Sequence, residues 1–535
     1  MVCQLTTNED NCISIFTILK IAVAIELIIL SVKYYEKNRK EIIVSTPKID
    51  KYISLNYSNY IRDDRFKYTC QIYDPYNLFK ERFRNPPISL CKSNYSEHLC
   101  YLNTAKIQAF KNGVTCLMSN FTIEPSKWKS DGYTYLGPVD NITRGMPLLS
   151  KGFFNMECQQ QDSFSEKYDS NYDIYFDAWN YTNYTKEDEN IEEKNEELAP
   201  GKVIFFVSRN QDSPNLFWGF NGIMNAALLI NLFKLNPEDI QVVFLESIKI
   251  DKDPLYEIYK NVISRGGEPI HINQLNKTYH ITEAIHVPIN WDSPCFSRFL
   301  SFQSSSSCPN STIGYTYIND LINKYMNISY FIEPKSYDKE VFYYPKKVKA
   351  PNSPEYTSFI TIQWRKAWPR GRKGQGRLLG NGPEIVERLY QVLPKTILIR
   401  LVDTSNLTLS EQISLMKKTD YFLGIHGAGL LLSLFLPPTS ILHEITPTTK
   451  TKNLASLSKL SGHRTISERI KGTMKTVEGT EYVYFNADIL AQKVMQIIKE
   501  YFFYIRGKFY PKNYDFKNKR IFYKKRFNEF QNFLN

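Results

Sequence analysis

From residue 202 onward the chain alternates short apolar runs with polar, turn-rich intervals. Runs over 203–207 and 241–245 are apolar and β-rich, and a helical stretch over 220–233 lies between them. A helix over 253–264 follows, then strands over 269–272 and 284–287. Strand and helix in alternation predict a parallel sheet with crossover helices. A second series begins with a strand over 358–363 and a helix over 383–392, whose first turn suits Pro383. It continues with a strand over 396–402 and a helix over 410–418 that Ser410 would cap. The chain then reads as a strand over 421–425, a glycine turn at Gly424, Gly427 and Gly429, a helix over 430–436 and a strand over 441–445. A strand over 482–485 and an amphipathic helix over 487–501 close the pattern.

Upstream of 200 the chain is polar, Tyr- and Asn-rich and weakly periodic, with an acidic, linker-like run over 186–198. One apolar run, 12–32, is near the length of a spanning helix and is read as a signal-anchor, although Lys20 and Glu26 interrupt it. Its flanks oppose a luminal body, because Glu9 and Asp10 precede it while Lys33, Lys37, Arg39 and Lys40 follow. Asn-x-Ser/Thr sequons, including those at Asn56, Asn94, Asn180 and Asn276, point the other way, as does a cysteine cluster between Cys70 and Cys158 that fits disulfides. The balance favours a luminal body, with 33–200 as a stem or disulfide-tied region.

The chain has 535 residues, too many for one ordinary core, so two folded domains are expected. Its formal net charge is +12, but much of the excess lies in 508–526. That distribution makes no nucleic-acid footprint; the tail would suit an acidic polymer or simply be solvated. No Cys/His set has zinc spacing in sequence, and no Gly-x-Ser-x-Gly or P-loop is present. Asp251 and Asp253 could hold a divalent cation, but the Asp-Pro pair at 253–254 fits a helix start better.

A glycine turn at the carboxyl end of a strand, opening a helix, is a place to hold a phosphate. His426, Gly427, Ala428 and Gly429 occupy that turn, and an imidazole there could donate to a diphosphate. Arg365 and Arg377 follow the 358–363 strand, and guanidinium forks bind phosphate oxygens bidentately. Glu444, at the end of the next strand, is placed to accept hydrogen bonds from ribose hydroxyls.

Together these residues resemble glycosyltransferase family 61. Asp420, Gly424, the His426-Gly-Ala-Gly-Leu430 block, Phe435-Leu-Pro-Pro438, Glu444 and Pro447 look like its signature. Arg377, Asn381 and Glu384 match its Arg-x-x-x-Asn-x-x-Glu element, and Arg365 matches the arginine after its strand. The stretches 241–245 and 288–296 are more similar to fungal members. The family includes EGF-domain O-GlcNAc transferases and plant xylosyltransferases. The resemblance implies an α/β fold of GT-B type with two facing Rossmann-like domains, in a type II single-pass protein of the Golgi or ER membrane. It divides the chain into a cytoplasmic tail (1–11), the signal-anchor helix (12–32), the stem (33–200), an acceptor-side domain (201–355), a donor-binding domain (356–480) and a closing strand, helix and basic tail (481–535). It also implies inverting transfer of a sugar from a UDP-sugar, xylose or N-acetylglucosamine, to a glycan or glycoprotein hydroxyl, with no cofactor and no required metal. The donor-binding set would be Arg365, Arg377, Asn381, Glu384, His426, Gly427, Ala428, Gly429 and Glu444.

One departure matters for catalysis. The family carries Asn-x-x-His-x-x-x-Asp at the start of the first domain's helix, but after Asn215 this chain has Trp218 and Gly222 at the His and Asp positions. An inverting enzyme needs a base within reach of the acceptor hydroxyl. His426, Asp212 and Asp292 are the candidates, unassigned among themselves, and a family member that binds nucleotide or glycan without catalysis is the other reading.

Overall fold

The computed structural model describes residues 75–509 apart from 81–82, 84–85, 103–113, 131–147, 162–175, 184–195, 210–215, 246–252, 289–292, 294–311, 327, 329–340, 346–357, 366–376, 438–439 and 447–452. The expected signal-anchor, the basic tail beyond 509, Asp212, Asp251 and Asp292 lie outside the described residues. Among those residues no helix is long and apolar enough to cross a membrane.

The first sheet has eleven strands. In chain order its main members are β1 (Ile88–Lys92), β2 (Glu97–Leu102), β3 (Val114–Ile123), β4 (Phe154–Glu157), β5 (Trp179–Thr182), β6 (Val203–Val207), β7 (Ile240–Phe244), β8 (Ile270–His271) and β9 (Tyr279–His286). Strands β8, β7, β6 and β9 lie side by side and parallel, with Phe205 of β6 opposite Val242 of β7 and Ile285 of β9. Their Val, Ile and Phe runs are buried on both faces, as a parallel sheet covered by helices requires. The sheet does not stop at β9. Strand β3 pairs antiparallel with β9, from Tyr279 opposite Ile123 to His286 opposite Cys116, and β2 and β1 follow in an antiparallel meander. The cysteine-bearing region therefore extends the sheet of the 203–286 strands rather than standing beside it. Disulfides join Cys91 to Cys158 and Cys100 to Cys116.

The second sheet has six strands. They are β10 (Phe342–Tyr343), β11 (Ser358–Gln363), β12 (Ile397–Val402), β13 (Tyr421–Ile425), β14 (Ile441–Ile445) and β15 (Arg464–Glu468). Their spatial order is β10, β12, β11, β13, β14, β15, all parallel except the edge strand β10. The chain thus winds outward in both directions from β11, and the strand order reverses between β11 and β13. In open α/β sheets that reversal leaves a crevice at the strands' carboxyl ends, where ligands bind. A hairpin of β16 (Thr473–Val477) and β17 (Thr480–Tyr484) stands off this sheet.

The principal helices are α1 (Pro75–Lys80), α2 (Leu216–Phe233), α3 (Ile313–Tyr325), α4 (Gly382–Val392), α5 (Leu409–Lys417), α6 (Asn453–Leu460) and α7 (Ala487–Phe509). Helix α4 carries Pro383 in its first turn, as expected. Helix α5 starts one residue earlier than expected and is capped by Thr408, in a capping box with Glu411, rather than by Ser410. The segment after the glycine turn is a 3-10 helix, Ala428–Phe435, not the α-helix that its apolar run predicts. It and α2, α3, α5 and α6 share one cluster of buried side chains between the two sheets. Phe220 of α2 meets Phe435 edge-on at 6.3 Å, and Asn319 of α3 donates to the Leu434 carbonyl at 3.0 Å. Helices α4 and α7 cover the other face of the second sheet, where Ile360, Leu423 and Ile445 meet Leu389, Leu490 and Val494.

Three buried imidazoles make the fold acid-sensitive. Burial holds His98 and His286 at about 3, helped for His98 by the neighbouring His286, and holds His463 at about 4. All three are neutral in the folded chain near pH 6 while the unfolded chain takes up protons below about 6.5. Stability therefore rises with pH across roughly 4 to 6.5, by about 1.4 kcal/mol per pH unit for each imidazole. Urea midpoints measured between pH 4 and pH 7 should climb steeply through this interval; a flat profile would show that these groups stay protonated when folded.

Candidate functional site

At the reversal between β11 and β13, strand β11 ends in Gln363 and delivers Arg365 two residues later. Strand β13 ends in Ile425 and delivers His426 and the glycine turn. The glycines make room for protein side chains. A Cβ on Gly427 would stand 1.9 Å from Nη1 of Arg365, and one on Gly429 would stand 2.0 Å from Nε2 of Gln363. A Cβ on Gly424 would meet Leu430 at 2.6 Å. Gly427 has extended backbone angles open to any residue, and the space its Cβ would take is filled by the Arg365 guanidinium. The missing Cβ atoms leave room for the arginine and the glutamine.

Arg365 Nη1 also donates to the His426 carbonyl at 3.4 Å. Burial, and then the guanidinium of Arg377, push Arg365 down from its usual range. Two cations in electrostatic reach of each other, one largely desolvated, are held against their own repulsion by the fold. A polyanion between them would remove that penalty. Arg377 arrives by a different route. The segment after it is strapped to β17 by Val483 N–H to the Leu378 carbonyl and Gly380 N–H to the Val483 carbonyl, at 2.8 and 2.9 Å. A Cβ on Gly380 would enter the Tyr484 ring at 2.5 Å. The hairpin therefore positions the second arginine.

Beside the arginines, His426 Nδ1 lies 2.5 Å from Glu444 Oε1, with the Glu444 side chain fully buried and the His426 side chain 12% exposed. Glu444 sits opposite Gly424 in the β13–β14 register, on the strand face that looks toward the 3-10 helix. Its Oε2 is buried without a hydrogen-bond partner among the described residues. The Glu444 carboxylate is buried against the imidazole of His426. With Nδ1–H donated to the carboxylate, Nε2 carries the lone pair.

The neighbouring residue, His443, points to the opposite face. It bridges the Tyr421 hydroxyl at 2.7 Å and Glu468 Oε1 at 2.8 Å, and Glu468 also pairs with Lys493 of α7. The His443 and Lys493 hydrogen bonds hold Glu468 at about 2, against the upward pull of its burial. This chain ties three strands to α7 beneath the site.

Asn381 and Glu384 are engaged within the protein. The Asn381 amide donates to Phe485 O at 2.7 Å and to Glu384 Oε2 at 3.0 Å, and its carbonyl accepts from Phe485 N–H at 3.1 Å. These bonds brace the start of α4 against the chain leading into α7. Ala428 and Gly429 stand in the first turn of the 3-10 helix, ahead of its opening Leu430 N–H to Gly427 carbonyl bond, where backbone donors are not used by the helix itself. Asp420 lies at the amino end of β13, where it accepts from Phe359 N–H at 2.8 Å, far from the crevice.

In the first sheet, Asp253 is paired with Arg209 at 2.6 Å, both side chains buried, and it caps Leu255 N–H at 2.9 Å. Arg209 also lies over the Phe244 ring at 3.7 Å. The Asp253 carboxylate belongs to this ion pair. At Gly222, the position of the family's Asp, a Cβ would stand 2.7 Å from the Tyr259 hydroxyl, so a larger residue would press into the core. Gln363 was not singled out in the sequence, although its place at the last position of an apolar strand, facing a glycine turn, was a usable signal.

The reversed strand order of the second sheet thus brings Arg365, His426 and the glycine turn to one crevice. Residues 301–442, which span α3 and β10 to β13 and reach into β14, match the family described as Glycosyltransferase 61. No curated protein matches the chain. Over residues 301–442 the chain is similar to glycosyltransferase family 61, which supports a glycosyltransferase.

Proposed function

We propose that this protein is a glycosyltransferase that transfers xylose or N-acetylglucosamine, with inversion, from a UDP-sugar to a hydroxyl of a glycan or glycoprotein. The observation that carries the donor assignment is the seating of Arg365 in the slot left by Gly427, with Arg377 in electrostatic reach. Arg365 and Arg377 grip the diphosphate from two sides, and the backbone donors at Ala428 and Gly429 complete the cradle. As the glycosidic bond to UDP breaks, charge gathers on the diphosphate, and the two guanidinium groups stabilise it without a metal.

For the base we favour His426 over Asp212 and Asp292, on the strength of its 2.5 Å contact with buried Glu444. Nε2 takes the proton from the acceptor hydroxyl while the hydroxyl oxygen attacks the anomeric carbon opposite the UDP oxygen. Glu444 then stabilises the imidazolium. In this reading the two sheets are the halves of a GT-B architecture. The apolar run over 12–32 anchors a type II protein in the Golgi or ER membrane, and the body is luminal, in line with the sequons and disulfides.

A panel of UDP-sugars offered to the purified protein and scored for UDP release tests the reading. Release from UDP-xylose or UDP-N-acetylglucosamine, stimulated by an acceptor glycan, is expected. Release only from another nucleotide's sugars would overturn the donor assignment.

A further inference from the structure

Away from the crevice, a second cluster of chemistry-bearing side chains lies inside the first sheet. On β2, His98 and Cys100 are two residues apart and so project from the same face. Cys100 is opposite Cys116 of β3, and Cys116 is opposite His286 of β9. Residues in such a cross-strand row stand about 4.5–5.5 Å apart at Cβ. His98 Nε2 is 3.3 Å from Cys100 Sγ, and the ligand atoms of His98, Cys100 and Cys116 all lie within 4.8 Å of one another.

We propose that His98, Cys100 and Cys116, completed by His286, form a zinc site that opens when the Cys100–Cys116 disulfide is reduced and is lost when it re-forms. Two thiolates and two imidazoles are a tetrahedral zinc set, with Zn–S bonds of about 2.3 Å and Zn–N bonds of about 2.0–2.1 Å. Two sulfurs on such an ion stand about 3.8 Å apart given those bond lengths, so they need only part to a separation that the cluster already spans. His98 is built as a ligand. Its Nδ1 is 2.9 Å from the Tyr181 hydroxyl and its ring packs against Trp179 at 4.3 Å, which fixes the ring and leaves Nε2 toward sulfur. Metal-bound histidines are oriented in this way by a partner on the other nitrogen. All four residues are buried.

The electron and proton balance is simple. A dithiol reductant attacks one cysteine sulfur, the Cys100–Cys116 bond breaks, and the reductant leaves as its own disulfide, passing two electrons to the pair. The two resulting thiols bind zinc as thiolates and release two protons. The ion then replaces a covalent link between β2 and β3 with a clamp reaching β9, so the sheet stays cross-tied under reducing conditions.

The test is zinc uptake by the full chain, with and without a dithiol, read by a chromogenic chelator competition. The reduced protein is expected to bind one zinc at the cluster and the oxidised protein none there. Tyr181→Phe should weaken binding about 10–100-fold, and His98→Gln should weaken it further. Cys91→Ala with Cys158→Ala, which removes the other described disulfide, should leave binding intact. X-ray absorption at the zinc edge of the reduced wild-type protein keeps the test open if a variant misfolds, with mixed sulfur and imidazole ligation expected. Equal uptake by oxidised and reduced protein, uptake unaffected by His98→Gln, or an all-sulfur or all-oxygen shell would overturn the proposal.

Discussion

Arg365→Ala is expected to lower kcat/KM for the UDP-sugar by about 10²–10³-fold, the cost of removing one preorganised donor from a developing anion. Arg365 is largely desolvated, seated over Gly427, and repelled by Arg377 until an anion arrives. Its loss removes an interaction that strengthens as the diphosphate takes on charge, so kcat should fall as well as affinity. The variant should keep its unfolding temperature, because removing one of two repelling cations relieves strain in the unliganded fold. Steady-state kinetics with a thermal melt separates the outcomes, and unchanged turnover would remove Arg365 from the site.

The second large effect is expected at Glu444. Glu444→Gln keeps the shape of the buried carboxylate but not its charge, and its amide N–H would face Nδ1 of His426. That contact favours the tautomer with the proton on Nε2, which cannot accept a proton from the acceptor. Transfer should fall by about 10²–10⁴-fold, the range for losing general-base assistance. UDP affinity should stay within a fewfold of wild type, since the arginines are untouched. If Glu444→Gln instead weakens UDP binding as much as turnover, the pair serves the donor and the base lies elsewhere.

These two residues also show what could be read from the chain. Strands β11, β13 and β14 have the boundaries that their apolar runs predict. The glycine turn that follows β13 at the sheet's crevice was legible as Gly424, Gly427 and Gly429. That Glu444 and His443 take opposite faces follows from strand alternation. Which face meets His426, however, depends on the β13–β14 register, which no local pattern encodes. The same holds for Arg377, whose approach to Arg365 is set by pairing with β17 about a hundred residues later. Asn381 and Glu384 were assigned with the arginine that precedes them, but Asn381 bonds both backbone groups of Phe485, a contact invisible in sequence.

The antiparallel meander was the least legible part. In β3 the buried and half-buried positions do not alternate cleanly, because the strand lies between two others in an extended sheet. Its Tyr- and Asn-rich surroundings further blur the period-two signal. The cysteines there showed disulfides as a class. The cluster of His98 with Cys100 and Cys116 required the cross-strand register as well.

The central claim is that the crevice between β11 and β13 holds the diphosphate of a UDP-sugar between Arg365 and Arg377. Its most direct test is UDP release from UDP-xylose and UDP-N-acetylglucosamine, measured side by side for the wild-type chain and Arg365→Ala. The account predicts release by the wild-type chain from one of these donors and its near loss in the variant. Equal release by both proteins, or none from either donor by the wild-type chain, would contradict it.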